Sequence, residues 1–374
     1  LVLLIVVPLF VYSQIPDKIQ TLIDEGNYSR AQQMMRQLIA ETPQMDPLQR
    51  LNIKFEIERL ERIKKDFIRT KQEIIDYIKN YIPEVTDKDL ERWEKEKSLE
   101  YKIIDGEKRY FEWAAQNLFR INKRLKKIKQ KKDEPKKPPI YNRLEDIRKI
   151  IKQAKSTGKK YVKPVHARVT YTLTVKKDVV PDGKVVRCWL PYPREIPHRQ
   201  IDVKLISCFP ERHIIADNVD YLQRTIYFEQ PAQKGEETRF QVIFEFKNYA
   251  VYQQIDPKKV TPVTITPELA PFVAERPPHI VFSKELKQLS KQIVGKETNP
   301  YFIARKIFKY INDNIPWASA REYSTFYNIS DYVYQNMHCD CGMHSIFFMT
   351  LCRMNNIPTR WQSGWTTKPG GGGM

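Results

Sequence analysis

The hydrophobic residues of this chain change their spacing part-way along it, and that change constrains the fold more than any other feature. From Ile15 to about Gln130 they recur at the three-and-four spacing of a helix face. Ala31, Met34, Met35, Leu38 and Ile39 form one stripe, Phe55, Ile57, Leu60 and Ile63 another, with charged residues between them. Pro43, Pro47 and Pro83 divide the segment into separate helices, because proline lacks the N–H that a helix interior needs. Thr86, in VTDKDLERW, predicts a capped helix start with acidic residues in its first turn. From Tyr161 to about Tyr252 the pattern alternates instead, in VHARVTYTLTV, KVVRCWLPYP, RTIYFEQP and TRFQVIFEFKNYAVY, with turns at PDG (Pro181 to Gly183) and QKGEE. A helix stripe and a strand face need different packing layers, so a chain of 374 residues carrying both in blocks divides into domains.

The blocks are separated by KKDEPKKPP, where prolines and like charges keep a linker extended, followed by a short helix predicted over Tyr141 to Ala154. Helices return after Pro262 in SKELKQLSKQIVG (Ser283 to Gly295) and NPYFIARKIFKYINDNI (Asn299 to Ile315), the second opening on an Asn cap with Pro300 in its first turn. The predicted class is a multidomain α+β protein: a helical accessory domain over 14–134, linker and short helix over 135–160, a β-sandwich over 161–258, and an α+β core over 262–374. The aromatic stripe Tyr110, Phe111, Trp113 and Phe119 is read as packing in the core of the first of these.

The chain opens LVLLIVVPLFVYSQ, which matches a signal peptide cleaved after Ser13 and is shorter than the roughly 20 apolar residues of a membrane span. It has no initiating Met and no preceding basic stretch, so the written sequence is expected to begin inside its reading frame. Export to the periplasm or the exterior is therefore expected. The formal charge of +19 would ordinarily suggest a polyanion. Much of it lies in INKRLKKIKQKKDEPKKPP (Ile121 to Pro139), read first as a solvated helix face and linker and second as a contact for an anionic cell-envelope surface. Nucleic acid is not expected as a partner of an exported protein, and oligomeric state is not legible. Five cysteines, a low and odd number, argue against a disulfide scaffold and leave at least one thiol free. Cys188 and Cys208 fall in the strand region and are read first as small buried hydrophobes and second as a bridged pair.

The stretch HCDCGMHSIFFMTLCRMNNIPTRWQSGW holds the other three cysteines. MHSIFFMTLCRM is apolar almost all round, which a helix can be only when buried. Asn355 and Asn356 can supply a left-handed cap, Pro358 prevents continuation, and TRWQSGW then alternates like a strand. Cys341 and Gly342 thus fall at a helix start, where unpaired N–H groups and the positive dipole end favour a thiolate and can hold a developing oxyanion. Small Gly342 is expected to leave room for a substrate, the mounting an acyl-transfer nucleophile needs. A zinc site on His338, Cys339, Cys341 and His344 has the right ligand types, but C-x-C is tighter than the usual spacing and no second ligand pair follows. A Cys339–Cys341 disulfide would close a small strained ring. Cys352 reads as core; the task of Cys339 stays open.

Cys341, Ser345, Leu351, Arg353 and the run Ile357, Pro358, Thr359, Arg360 resemble the pattern of the transglutaminase-like superfamily, in which a catalytic Cys starts a buried helix followed by an Arg and G-I-P-A-R. Asn356 stands where the family usually has Gly and Thr359 where Ala is common. The resemblance implies a papain-like fold with a Cys-His-Asp triad, Cys341 as the catalytic residue, and thiol acyl chemistry on a protein or peptide amide; no cofactor or bound metal is expected. The thioester would be resolved by water, as in a peptidase or deamidase, or by an amine. In the family the His and Asp follow on strands after the cysteine helix, so they are expected beyond residue 374, with the core incomplete and the chain as written inactive. His344 sits in a variable position of the pattern and is a poor substitute base; His166, His198, His213 and His279 are assigned to structure or surface, and Trp317 to packing first and to lining the cleft second. The competing readings are a non-catalytic envelope interaction protein on the same fold and, weakest, a metal-binding module.

Overall fold

The computed structural model describes residues 15–133, 143–218 and 223–364. The expected signal segment 1–13, the linker prolines and the tail 365–374 lie outside them. The helical period forms α1 (Asp17–Asp24), α2 (Tyr28–Glu41), α3 (Pro47–Asp66), α4 (Lys71–Lys79) and α5 (Asp87–Lys95), then α6 (Ala114–Ile121) and α7 (Lys123–Lys132). Their starts are chemically marked. Asp46 accepts from the Leu48 and Gln49 N–H groups ahead of Pro47, and reciprocal capping boxes join Thr70 with Glu73 and Thr86 with Asp89. Ala31, Met35, Ile53, Leu60, Ile78 and Leu118 are fully buried in the shared core, whereas Phe55 of the expected stripe is half-exposed. In α7 only Leu125 is buried and most of its cations face solvent, as a solvated face requires.

The segment is not all helix. β1 (Tyr101–Ile104) and β2 (Glu107–Tyr110) pair antiparallel through Asp105 and Gly106, both at positive φ (50° and 85°), the conformation a two-residue hairpin turn demands. The hairpin seats on Gly26, whose φ is 81° and whose place admits no side chain, since a Cβ would lie 2.2 Å from the Ile103 carbonyl oxygen. Tyr110, Phe111 and Phe119 are core residues as expected; Trp113 is not, being 41% exposed.

After the linker come α8 (Arg143–Thr157) and six strands: β3 (Tyr161–Val175), β4 (Val185–Pro191), β5 (Gln200–Phe209), β6 (Ile214–Ile215), β7 (Thr225–Pro231) and β8 (Thr238–Val251). They make two three-stranded antiparallel sheets, ordered β3-β8-β5 and β4-β7-β6. Leu190, Ile226 and Phe228 from one sheet and Phe240, Val242 and Phe244 from the other share a core, the two-layer packing that alternation predicts. Cys188 is buried there and Cys208 half-buried; all five cysteines are free.

The remaining helices are α9 (Lys284–Val294), α10 (Pro300–Asn314), α11 (Ile329–Asn336) and α12 (Cys341–Met354). Asn299 caps α10 through the Tyr301 and Phe302 N–H groups with Pro300 behind it, as the sequence predicts. Leu286, Ile307, Ile329, Val333, Phe347 and Leu351 meet in a second helical core. The alternating run after Pro358 forms no strand over 359–364, because no neighbouring strand among the described residues takes its backbone groups. The described residues divide into two units: those before 137 together with 257–361, and those from 137 to 256 with 362–364. The segment expected as an accessory domain therefore shares its unit with the cysteine-bearing helix.

Candidate active site

α12 is built as its sequence requires. Phe347, Leu351 and Cys352 are fully buried, and the helix stops where Asn356 turns to φ 54° ahead of Pro358. Arg353 is also buried, and no carboxylate among the described residues pairs with it. Its guanidinium donates instead to four carbonyl contacts: Thr359 O through Nε and Nη2 at 3.2 and 2.8 Å, and Pro271 O and Ala274 O through Nη1 at 3.3 and 2.8 Å. The arginine thereby ties the exit of α12 to the segment before α9. The Thr359 N–H completes the tie, donating to Phe272 O at 2.9 Å.

At the other end Cys341 occupies the first helical position and is exposed. The cap is Asp340: its carboxylate accepts from the Met343 N–H at 2.9 Å and its carbonyl from the His344 N–H at 3.0 Å. The N–H groups of Cys341 and Gly342 are the ones the cap does not consume, and the first residues of a helix have no partner within it. Gly342 is small for a different reason from the one expected. A Cβ there would lie 2.1 Å from the Tyr323 hydroxyl oxygen, so the space belongs to a tyrosine and not to a substrate.

The loop before the cysteine is fixed by backbone. Cys339 N–H donates to Pro316 O and Cys339 O accepts from the Ala318 N–H, a parallel bridge that seats Trp317 beside it. Cys339 is buried, and desolvation, reinforced by the neighbouring Asp340 and Cys341, pushes its thiol far above the ordinary range. It is therefore a packed thiol. Burial pushes Cys352 up to about 12. Of five thiols, Cys341 alone is both exposed and mounted on a helix start among the described residues.

The histidines nearby are occupied. His338 is buried with Nε2 3.2 Å from Lys97 O, and burial lowers its pKa; His344 turns Nε2 toward Ile315 O at 3.0 Å, away from the role of base. Among the described residues no three His, Cys, Asp or Glu side chains converge as a metal site would need. His166 approaches Glu245 at 3.4 Å on the β-sheet unit, and His213 Nδ1 lies 3.3 Å from Cys208 Sγ there. Trp317 is 47% exposed and lies under the Arg120 guanidinium, 4.8 Å from the ring centroid, so it lines the surface more than it packs.

Two residues of the site escape a reading of the sequence. Asp340 carries a signal, an Asp immediately ahead of an apolar helical run. Tyr323 carries none, because it reaches the helix start from a separate turn.

Residues 287–373 match the transglutaminase-like superfamily. The match spans α12 and its cysteine, so a cysteine-based acyl chemistry is supported at the level of the family. No curated protein matches the chain. Among solved structures, a candidate cysteine protease from Cytophaga hutchinsonii is similar at 16% identity with a TM-score of 0.41, over 53% of this chain and 66% of that one, just under two thirds of its length.

Proposed function

We propose that the transglutaminase-like segment acts on protein or peptide amides with Cys341 as nucleophile. The carrying observation is the singular state of that thiol: exposed, first in its helix, beside N–H groups its cap leaves unused. The sulfur would attack the amide carbon, the two N–H groups would hold the oxyanion, and the amine would leave with a proton from a general acid. A histidine oriented by a carboxylate is the partner that the family resemblance implies; His338 and His344, the histidines on either side of Cys341, are each engaged with a backbone carbonyl instead. The thioester would then be resolved by water or by an amine. Export, inferred from the apolar opening of the chain, is part of this proposal, as is an anionic envelope surface as a contact for the cationic α7.

Iodoacetamide labelling near neutral pH should modify Cys341 at least about ten-fold faster than Cys352, whose thiol is buried and hard to ionise. Wherever amide hydrolysis or amine incorporation is measured, Cys341→Ala should abolish it while leaving the melting temperature unchanged. Equal labelling rates, or activity that survives Cys341→Ala, would sink the proposal.

A further inference from the structure

The first turn of α12 is not held by its own residues alone. Asp340 Oδ1 accepts twice, from the Met343 N–H at 2.9 Å and from the Tyr323 hydroxyl at 2.6 Å. That hydroxyl also fills the space over Gly342. Tyr323 begins a short 3-10 turn, Tyr323–Thr325, which α3 grips residue by residue. Asp66 Oδ2 accepts from the Glu322 N–H at 3.0 Å, Arg62 Nη1 donates to Ser324 Oγ at 2.6 Å, and Arg59 Nη1 donates to Thr325 O at 3.3 Å. Arg321 donates to the same carbonyl at 3.0 Å and stacks 3.9 Å over the Phe326 ring. The residues on either side of Tyr323 are thus tied down, which fixes the backbone from which its side chain reaches Asp340.

The arrangement meets a specific difficulty. A carboxylate is a good helix cap, yet a negative charge one residue from a nucleophilic sulfur opposes formation of the thiolate. A phenol donating a short hydrogen bond to that carboxylate withdraws part of its charge and fixes its orientation. Burial, the bond to Asp340 and its charge hold the Tyr323 proton well above the usual phenol range, so the group stays a donor.

We propose that Tyr323 is a positioning residue for Cys341: its hydroxyl draws off part of the charge of the Asp340 cap and orients it, and α3 holds the turn that carries Tyr323. The proposal rests on the reading of Cys341 as the nucleophile and concerns how that nucleophile is kept reactive. The helical segment before the linker then reaches the cysteine by way of Tyr323.

Charge-selective alkylation tests it. Purified protein and variants are treated with neutral iodoacetamide or anionic iodoacetate, and modification of the Cys341 peptide is timed by mass spectrometry. Tyr323→Phe keeps the ring volume and should slow iodoacetamide about five-fold, with iodoacetate slowed about three-fold more because the uncovered Asp340 charge repels it. In an Asp340→Asn background the same change should have an effect below about two-fold, since no carboxylate remains to be covered. Gly342→Ala, which must push the hydroxyl off its seat, is the second variant and should reproduce the iodoacetate discrimination. A wild-type rate in Tyr323→Phe, an equal slowing of both reagents that persists in Asp340→Asn, or an unchanged reagent ratio in Gly342→Ala would overturn the proposal. The wild-type Cys341 rate against a small free thiol is a separate reading: if that is slow, the nucleophile assignment fails, whereas the variant ratios judge Tyr323.

Discussion

Cys341 is legible because everything that distinguishes it is local: an apolar run, an Asn-Asn-x-Pro stop, and a small residue beside the thiol. Arg353 is legible as a pattern residue only, and its physics becomes plain in three dimensions. A buried guanidinium with five N–H donors is here satisfied by three backbone carbonyls on two sides of the helix end. Lysine has three donors on one atom and cannot span that fork. Arg353→Lys is accordingly expected to lower stability by about 2 kcal/mol or more, measured by urea denaturation, and to loosen the exit of α12. A variant within about 0.5 kcal/mol of wild type would show that water replaces the lost bonds. Gly342 shows the limit of the same local reading. Its smallness was visible, but what it makes room for comes from Tyr323, and no spacing in the sequence joins them.

At the scale of elements, the starts of helices were the most readable feature and single strands the least. Thr86, Asn299 and Pro300 mark their helices because a cap satisfies N–H groups within four residues of itself. The β1–β2 hairpin was announced by Asp105-Gly106 between alternating residues, but its four-residue strands were outvoted by the helical stripes on either side. The alternation after Pro358 misled for the opposite reason: a strand needs a neighbour, which its own residues cannot supply. Capping carries a pH dependence that can be stated with its sign. Hydrogen bonds from the Thr70 backbone, the Arg69 side chain and the Thr70 hydroxyl lower Glu73 from an ordinary 4.5 to about 2. A carboxylate depressed in the folded state contributes stability that is present above its unfolded value and is lost as pH falls through the folded one. Helix α4 should therefore fray between about pH 4.5 and 2, and the acid dependence of its amide exchange should flatten in Glu73→Ala. An identical slope in wild type and variant would assign that acid sensitivity elsewhere.

At the scale of the molecule, the unit that holds Cys341 is assembled from two stretches of chain, and the polar residues that join them look like solvent-facing charges in the sequence. Arg59 and Glu56 occupy neighbouring turns of α3, as many surface pairs do, yet both are buried, with bonds of 2.5 and 2.7 Å between them and a cation–π contact from Arg59 to Tyr327 at 4.0 Å. Asn117 exchanges two bonds with the Ser319 backbone, at 2.8 and 2.9 Å, in the manner of a strand partner, one residue beyond the bridge that seats Cys339. Glu100 faces Arg321 at 3.3 Å, and His338 rests on Lys97 O. Sequence periodicity reports which face of a helix is apolar; it does not report that a charge on the edge of that face meets a second segment. Removing one member of a buried ion pair strands the other, which costs about 3 kcal/mol. Glu56→Gln should therefore weaken more than α3. Because Arg59 also holds the Thr325 carbonyl, the loss is predicted to lower amide protection in α12 by a similar factor as in α3, and native-state hydrogen exchange would show the two helices opening together. If α3 lost protection while α12 kept it, the two stretches would be separate cooperative units, and the helical segment could not act on the cysteine through their shared packing.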